Sequence, residues 1–182
     1  IFTDEPGFPP DWKAGTLPWG RELVEAFHRR HGYDVTDHLA ALYDPGDGNQ
    51  AVRFDYWDTL SALFADNFTA QIDRWCERAG LQFTGHFWEH LYPDPRLNGS
   101  VMNNYARMQI PGIDMLFHPD FVPESGEGQF GNTLIVKEAS SIAHQLNKPR
   151  VMSETHGASG WDLDFTDMKR MLDWQFALGV NL

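Results

Sequence analysis

Basic residues and cysteines are scarce in this sequence, and each scarcity narrows the range of functions. The 182 residues include 14 lysines and arginines against 26 aspartates and glutamates, which gives a net charge of −12. Because such an acidic surface repels phosphate, the composition argues against a nucleic-acid partner. The single cysteine, Cys76, cannot form an internal disulfide. It lies in a stretch where apolar residues recur periodically, so we expect its thiol to be buried. Such a thiol does not indicate whether the protein works in an oxidising or a reducing compartment.

Long apolar runs and low-complexity segments are also missing. No run of about 18 apolar residues is present, so no membrane span is expected. The N-terminus lacks the charged and apolar regions of a signal peptide, and we expect any targeting segment to lie upstream or to be removed. With 42% hydrophobic and 14% aromatic residues, the composition supports one sizeable core. We therefore predict a single domain, truncated relative to a complete fold, over residues 1–182.

Short apolar runs alternate along the chain with longer segments of helical periodicity. This alternation is typical of βα units around a parallel sheet, and it predicts the α/β class. The predicted strands are 1–3, 81–87, 113–117, 150–154 and a last one starting at 180. The predicted helices are 20–32, 36–42, 50–79, 100–110, 132–148 and 165–179.

Two architectures accommodate five successive βα units: an open doubly wound sheet and a (β/α)₈ barrel. The glycine-rich loops that cradle phosphates in dinucleotide folds follow none of the predicted strands. The strand ends carry polar and ionisable residues instead, and a barrel enzyme builds its active site at the C-terminal ends of its strands. A whole barrel takes about 250 residues. We therefore expect the C-terminal portion of a (β/α)₈ TIM barrel, about five βα units that begin at its fourth strand.

Two glutamates at these strand ends are the candidate catalytic groups. Glu5 follows the first strand in the stretch FTDEP, and Glu154 ends the fourth in VMSET. Three strands apart around a barrel, the two carboxylates would face each other across its mouth, as glycoside hydrolysis requires. Burial beside apolar strand residues would raise the pKa of Glu154 and suit it to acid or base work. The plain structural alternative is that Glu5 belongs to a solvated turn.

Two further polar residues and a group of aromatic residues are candidates for substrate binding. His86 and Asp114 lie at the ends of the second and third strands; alternatively, His86 is a buried core histidine and Asp114 caps backbone N–H groups. Aromatic rings beside carboxylates are typical of sugar sites, because the C–H faces of pyranoses stack on them. Alternatively, several rings cover the end of a barrel. The rings and ring-like residues in post-strand loops are Trp12, Trp19, Phe87, Trp88, Tyr92, His156 and Trp161.

Several long motifs resemble one known family. They occur in order along nearly the whole chain, and the segment SETHGASGW is the most specific of them. Together they resemble the barrel of glycoside hydrolase family 106, the α-L-rhamnosidases. The motifs are FTDEPGF, FHRRHGYDVTDHL, FDYWDTLSALFADNF, LQFTGH, NGSVMNNYARMQIPGID, KPRVMSETHGASGWDLDF and MLDWQFALGVNL.

The resemblance implies a (β/α)₈ catalytic domain in a calcium-dependent enzyme that cleaves terminal α-L-rhamnose from plant or bacterial glycans and inverts the anomeric configuration. It implies a bacterial protein in the periplasm or outside the cell. By resemblance, Glu5 and Glu154 are the catalytic pair, with Glu5 as general acid and Glu154 as base or the reverse. Residues expected to bind substrate are His86, Trp88, Asp114, His156 and Trp161. Asp4 and Glu89 are the predicted metal ligands, and the metal rests on the resemblance alone.

Two other functions remain open at this point. One is a barrel that binds carbohydrate without hydrolysing it, in which the carboxylates only hold hydroxyl groups. The other is a retaining glycosidase that acts on a β-linked hexose, for which the two carboxyl groups would lie near 5 Å apart rather than about 6.5–9.5 Å. Neither the linkage nor the oligomeric state has a signal in the sequence.

Overall fold

The computed structural model describes residues 1–8, 15–44, 46, 48–91, 96–116 and 127–182, with backbone only at 91 and 127–132. Its elements follow the alternation predicted from the sequence. In chain order they are β1 (Phe2–Thr3), α1 (Arg21–His31), a 3₁₀ turn (Val35–His38), α2 (Leu39–Tyr43), α3 (Gln50–Phe64), a π-turn (Ala65–Thr69), α4 (Ala70–Ala79), β2 (Thr84–Gly85), a 3₁₀ turn (Glu89–Leu91), α5 (Val101–Tyr105), β3 (Gly112–Leu116), α6 (Glu127–Gln145), β4 (Met152–Gly157) and α7 (Phe165–Leu178).

The described strands are parallel and neighbour one another in chain order. β1 pairs with β2, and β3 pairs with β4. A backbone bond of 3.1 Å from the N–H of Ile110 to the carbonyl of Phe83 joins the segments that lead into β2 and β3. After α7 the chain returns beside β4, where the N–H of Ser153 donates to the carbonyl of Leu182 at 2.9 Å. The predicted α/β class with parallel strands is confirmed, and closure into a barrel remains a prediction.

The long helix predicted over 50–79 forms, but it contains a π-turn. α3 and α4 are continuous through Ala65–Thr69, where the backbone winds with one residue more per turn than an α-helix. Gly80, at φ 68°, ends α4 in the left-handed region that glycine adopts without strain.

Two buried clusters make up the described core. One lies between the strands and the helices α4, α6 and α7, and it includes Phe83, Ile113 and Val151. The other joins α1 to α3 through residues such as Phe27 and Tyr56. The first cluster includes residues of β3 and of the segments that lead into β2 and β4. It therefore holds the polar residues along these strands at one end of the sheet.

The end of one predicted strand is wrong in a way that matters for the site. β4 runs to Gly157, past the predicted end at Glu154, so Glu154 lies inside its strand, as Asp114 does in β3. The ladder pairs these two residues directly, Asp114 with Glu154. Their side chains therefore start from a rigid hydrogen-bonded backbone, and no loop sets their direction.

Candidate functional site

Four neighbouring strands bring polar side chains to the same edge of the sheet. Asp4 and Glu5 follow β1, His86 follows β2, and Asp114 and Glu154 belong to β3 and β4. One ligand atom each of Glu5, His86 and Asp114 lies within 4.8 Å of the others. We call Asp4, Glu5, His86, Asp114 and Glu154 the His86 cluster. The sequence predicted all five as site residues, and the structure brings them together.

His86 is the centre of this cluster. Its side chain is 1% exposed, and its Nε2 lies 2.9 Å from Oε2 of Glu154 and 3.7 Å from Oδ1 of Asp4. The ring of Phe2 packs edge-on against it, with 5.4 Å between the ring centroids. Among the described residues, Nδ1 of His86 has no hydrogen-bond partner. A fixed imidazole between carboxylates from two strands can hold Glu154 in one orientation and share a proton with it.

The glycine before His86 allows β1 and β2 to approach closely. Gly85 has φ 129°, and a Cβ atom at this position would lie 2.0 Å from the carbonyl oxygen of Thr3. Only glycine fits a backbone of this conformation at this distance. The close approach places His86 next to the acids that follow β1.

Glu5 occupies a more enclosed position than Glu154. Its side chain is 23% exposed against 52% for Glu154, and its backbone has φ 43°. Burial raises the pKa of the Glu5 carboxyl, while the nearby histidines His90 and His86 oppose the shift. A raised pKa suits the Glu5 carboxyl to the role of a general acid.

His90 is a site residue that the sequence analysis missed. Its Nδ1 lies 3.9 Å from Oε1 of Glu5, and its Nε2 donates to the backbone carbonyl of Asp114 at 2.6 Å. The available signal was the stretch GHFWEH, in which a second histidine follows His86 by four residues. His90 therefore connects the acid after β1 to the backbone of β3.

Glu89, predicted as a metal ligand, binds backbone N–H groups. Its Oε2 accepts from the N–H of Phe87 at 2.9 Å, and its Oε1 accepts from the N–H of Asp114 at 2.7 Å. The side chain is almost fully buried, and this burial raises its pKa to about 8 although the backbone bonds oppose the shift. Glu89 thus fastens the residue after His86 to the middle of β3. Its role as a metal ligand remains a prediction.

Asp114 has an oxygen available to a ligand. It is 7% exposed, and its Oδ1 has no hydrogen-bond partner among the described residues. Burial raises the pKa of its carboxyl, His86 and His90 lower it, and Glu154 and Asp4 raise it further. The predicted capping of backbone N–H groups is performed by Glu89 instead.

The three remaining predicted substrate-binding residues lie outside the His86 cluster. Trp88 lines a separate cavity, described below. His156 is half-buried at φ 74°, and Trp161 is fully exposed. Of the other aromatic residues, Phe87 is buried in the core and Trp19 is 49% exposed. Trp12 and Tyr92 fall outside the described residues.

The cluster of Glu5, His86 and Asp114 contains donors of a metal site, so its fit to calcium can be judged. The unpartnered Oδ1 of Asp114 and the close approach of the three groups favour a divalent cation. Calcium, however, takes six to eight oxygen ligands, and an imidazole nitrogen suits a transition metal better. These three residues by themselves do not fit a calcium site. Among the described residues no other group of three potential ligands comes together in this way.

The comparisons with known proteins agree that the similar proteins are glycoside hydrolases. Residues 9–182 match the family Glyco_hydro_106, described as alpha-L-rhamnosidase. A solved structure, the rhamnosidase from Novosphingobium sp. PP1Y, superposes with a TM-score of 0.68 at 27% identity over 89% of this chain. A protein of Formosa agariphila named "Putative beta-glucuronidase" is 24% identical over 176 residues, or 93% of this chain.

The chain corresponds to a small part of these larger proteins. It covers 15% of the Novosphingobium rhamnosidase and 14% of the Formosa protein. The described residues contain no helix both long and apolar enough to cross a membrane. The resemblance inferred from the motifs is confirmed, and the chain belongs to glycoside hydrolase family 106, the α-L-rhamnosidase family.

Proposed function

We propose that this chain contributes the catalytic carboxylates of an α-L-rhamnosidase that removes terminal α-L-rhamnose from plant or bacterial glycans with inversion of configuration. The observation that carries the proposal is the His86 cluster, in which Glu5 and Glu154 come from separate strands to the same buried imidazole. Two carboxyl groups on either side of a sugar are what an inverting glycosidase needs.

Glu5 is proposed as the general acid and Glu154 as the general base. Since burial raises the pKa of Glu5, its carboxyl group keeps a proton for the glycosidic oxygen to a higher pH than a solvated glutamate would. Glu154 is half exposed and bonded to His86, so it can receive a proton from an attacking water. The imidazole holds the carboxylate in place during this step.

The contacts of His86 limit the spacing of the pair. Because both carboxyl groups lie beside the ring of His86, their nearest oxygens are at most about 10 Å apart, a limit that includes the range of about 6.5–9.5 Å of inverting enzymes and the shorter spacing, near 5 Å, of retaining ones. Inversion is therefore proposed from the family resemblance, and the anomer released first tests it.

Three further expectations belong to the same proposal. The chain is proposed to form about five βα units of a (β/α)₈ barrel, and the protein to act in the bacterial periplasm or outside the cell. Calcium stays a prediction from the family resemblance, and no step of the proposed reaction runs through it.

The test is hydrolysis of p-nitrophenyl α-L-rhamnopyranoside by the full-length gene product. We expect Glu5→Gln and Glu154→Gln each to lower kcat at least a hundredfold, because each removes a proton-transfer group. The matched control is Glu77→Gln, which changes an exposed glutamate on α4 and should keep the wild-type rate. Wild-type rates in both site variants would refute the assignment. The anomer first released, observed by proton NMR, tests inversion.

The second candidate is hydrolysis of a β-linked hexuronide, and the name of the Formosa protein favours it. Assays with p-nitrophenyl β-D-glucuronide on the same preparation separate the two substrates. A retaining enzyme would release the β-anomer first, and a barrel that only binds sugar would release no p-nitrophenol from either compound.

A further inference from the structure

A cavity of about 350 Å³ lies beside the His86 cluster, and the proposed reaction does not use it. Among the described residues it is bounded by α3, by the segment 98–103 and by α6. Trp88 and Glu89 line its side nearest the His86 cluster. None of the five residues of that cluster lines it. Its volume is within the range of small-ligand pockets and is large enough for one pyranose ring.

Two buried polar atoms in the cavity wall have no partner among the described residues. They are Nδ2 of Asn98, on a residue that is 2% exposed, and Oε2 of Glu138, on a residue that is 9% exposed. A buried donor or acceptor without a partner costs free energy, and such atoms are rare in native proteins unless water or a ligand satisfies them. One amide donor and one carboxyl oxygen therefore remain for a ligand.

Other polar groups in the wall already have partners. Oγ of Ser61 accepts from the N–H of Ser100 at 2.9 Å, and Asp58 pairs with Arg30. Glu89 uses both oxygens on backbone N–H groups. Among the described residues of the wall, Asn98 and Glu138 are therefore the two with a buried polar side-chain atom that lacks a hydrogen-bond partner.

The rest of the wall is aromatic and apolar. Trp57 from α3 and Trp88 from the loop after β2 are both partly buried there, and Val101 and Met102 from α5 add apolar surface. Indole faces beside a few fixed polar groups suit the C–H face and the hydroxyls of a pyranose.

We propose that this cavity is a second carbohydrate site, which takes one neutral pyranose by stacking on Trp57 or Trp88 and by hydrogen bonds to Asn98 and Glu138. Hydroxyl groups can both accept from the Asn98 amide and donate to the Glu138 carboxyl, so a vicinal diol satisfies both orphaned atoms. The net charge of −12 on the chain disfavours an anionic sugar. The site does not depend on the proposed catalytic pair.

The experiment follows the indole N–H signals of the chain in ¹H–¹⁵N NMR spectra during titration with L-rhamnose, D-glucose and D-glucuronate. The signals of Trp57 and Trp88 are assigned from the single variants Trp57→Phe and Trp88→Phe. We expect saturable shifts of both signals with a neutral sugar, at a Kd on the order of 1 mM as is usual for so few ligand atoms. Glucuronate should bind more weakly than the neutral sugars, because the chain carries a net negative charge.

Glu138→Leu is the decisive variant. It removes a buried carboxyl that has no partner, so it should not impair folding, and thermal unfolding checks this directly. We expect it to weaken neutral-sugar binding about tenfold, and Asn98→Leu to do the same. The control Glu77→Gln should bind as the wild type does. Absence of saturable shifts up to about 100 mM, equal affinity in Glu138→Leu, or a preference for glucuronate would each overturn the proposal.

Discussion

Replacing Glu89 with glutamine tests whether a buried carboxylate holds the two halves of the His86 cluster together. In the wild type the two oxygens of Glu89 accept from the N–H groups of Phe87 and Asp114 at 2.9 and 2.7 Å. Glutamine keeps the shape of the side chain but offers one oxygen. Its amide NH₂ would face the second N–H, so two donors would meet in a site that water does not reach.

The structure sets the size of the effect. A buried N–H without an acceptor costs about 1–3 kcal/mol. The raised pKa of Glu89 offsets this cost at neutral pH and above, so the comparison is made near pH 5, where the offset is small. We expect a net loss of about 2 kcal/mol in the free energy of unfolding. For a chain of 182 residues, this corresponds to a fall in Tm of about 4–8 °C.

The assay is thermal unfolding followed by far-ultraviolet circular dichroism at about pH 5, where the raised pKa of Glu89 contributes little to the difference between the variants. Glu77→Gln is the control, because the same chemical change on the exposed face of α4 should alter stability by less than about 0.5 kcal/mol. If Glu89→Gln unfolds at the same temperature as this control, the two hydrogen bonds of Glu89 do not stabilise the fold as the geometry indicates.

Three other predictions follow from the same contacts. Gly85→Ala should cost more than about 3 kcal/mol of stability, because its Cβ would overlap the backbone of β1. Gly32→Ala, at φ 78° in open space, should cost about 1–2 kcal/mol. Similar losses for the two variants in denaturant titrations would contradict this. Burial raises the pKa of Glu138 to about 7 in the folded chain. The free energy of unfolding should therefore be highest below about pH 4.5 and fall by about 2 kcal/mol as the pH rises through 7, a figure that allows for solvent in the cavity. Glu138→Gln should lose this pH dependence in urea titrations between pH 5 and 8. His86→Phe should lower kcat of the full-length enzyme at least tenfold by releasing Glu154, and an unchanged kcat would show that the imidazole does not act on it.

Much of the His86 cluster could be predicted from the sequence because parallel strands end at a common edge. Once the strands before Glu5, His86 and Glu154 were recognised, the convergence of these side chains followed from the topology of βα units. The prediction needed only the order of the strands, which apolar runs indicate well, and no knowledge of how helices pack behind them.

The end of β4 could not be predicted in the same way. β4 continues through Glu154 to Gly157, although acidic residues disfavour strands. The pairing between β3 and β4 provides enough hydrogen bonds for β4 to continue through these residues. Local propensity contains no information about such a partner strand.

The partners of Glu89 and the exposure of Trp161 were equally out of reach. Whether a glutamate binds a metal or backbone N–H groups depends on which amides lie within 3 Å of it, and those of Glu89 come from two separate strands. Trp161 is predicted to bind substrate because of its residue type, and the described structure shows it fully exposed. Residue type indicates which chemistry is available, and only the packing decides where it is used.

The π-turn at Ala65–Thr69 lets one continuous helix face two directions. An extra residue in a helical turn rotates everything after it by about 100°. α3 places Tyr56 and Leu60 in the cluster that it shares with α1. Its last residue, Phe64, packs against the cluster beside the strands, in which α4 places Cys76. A one-residue deletion here would rotate the buried face of α4 by about 100° relative to α3, while leaving α3 untouched.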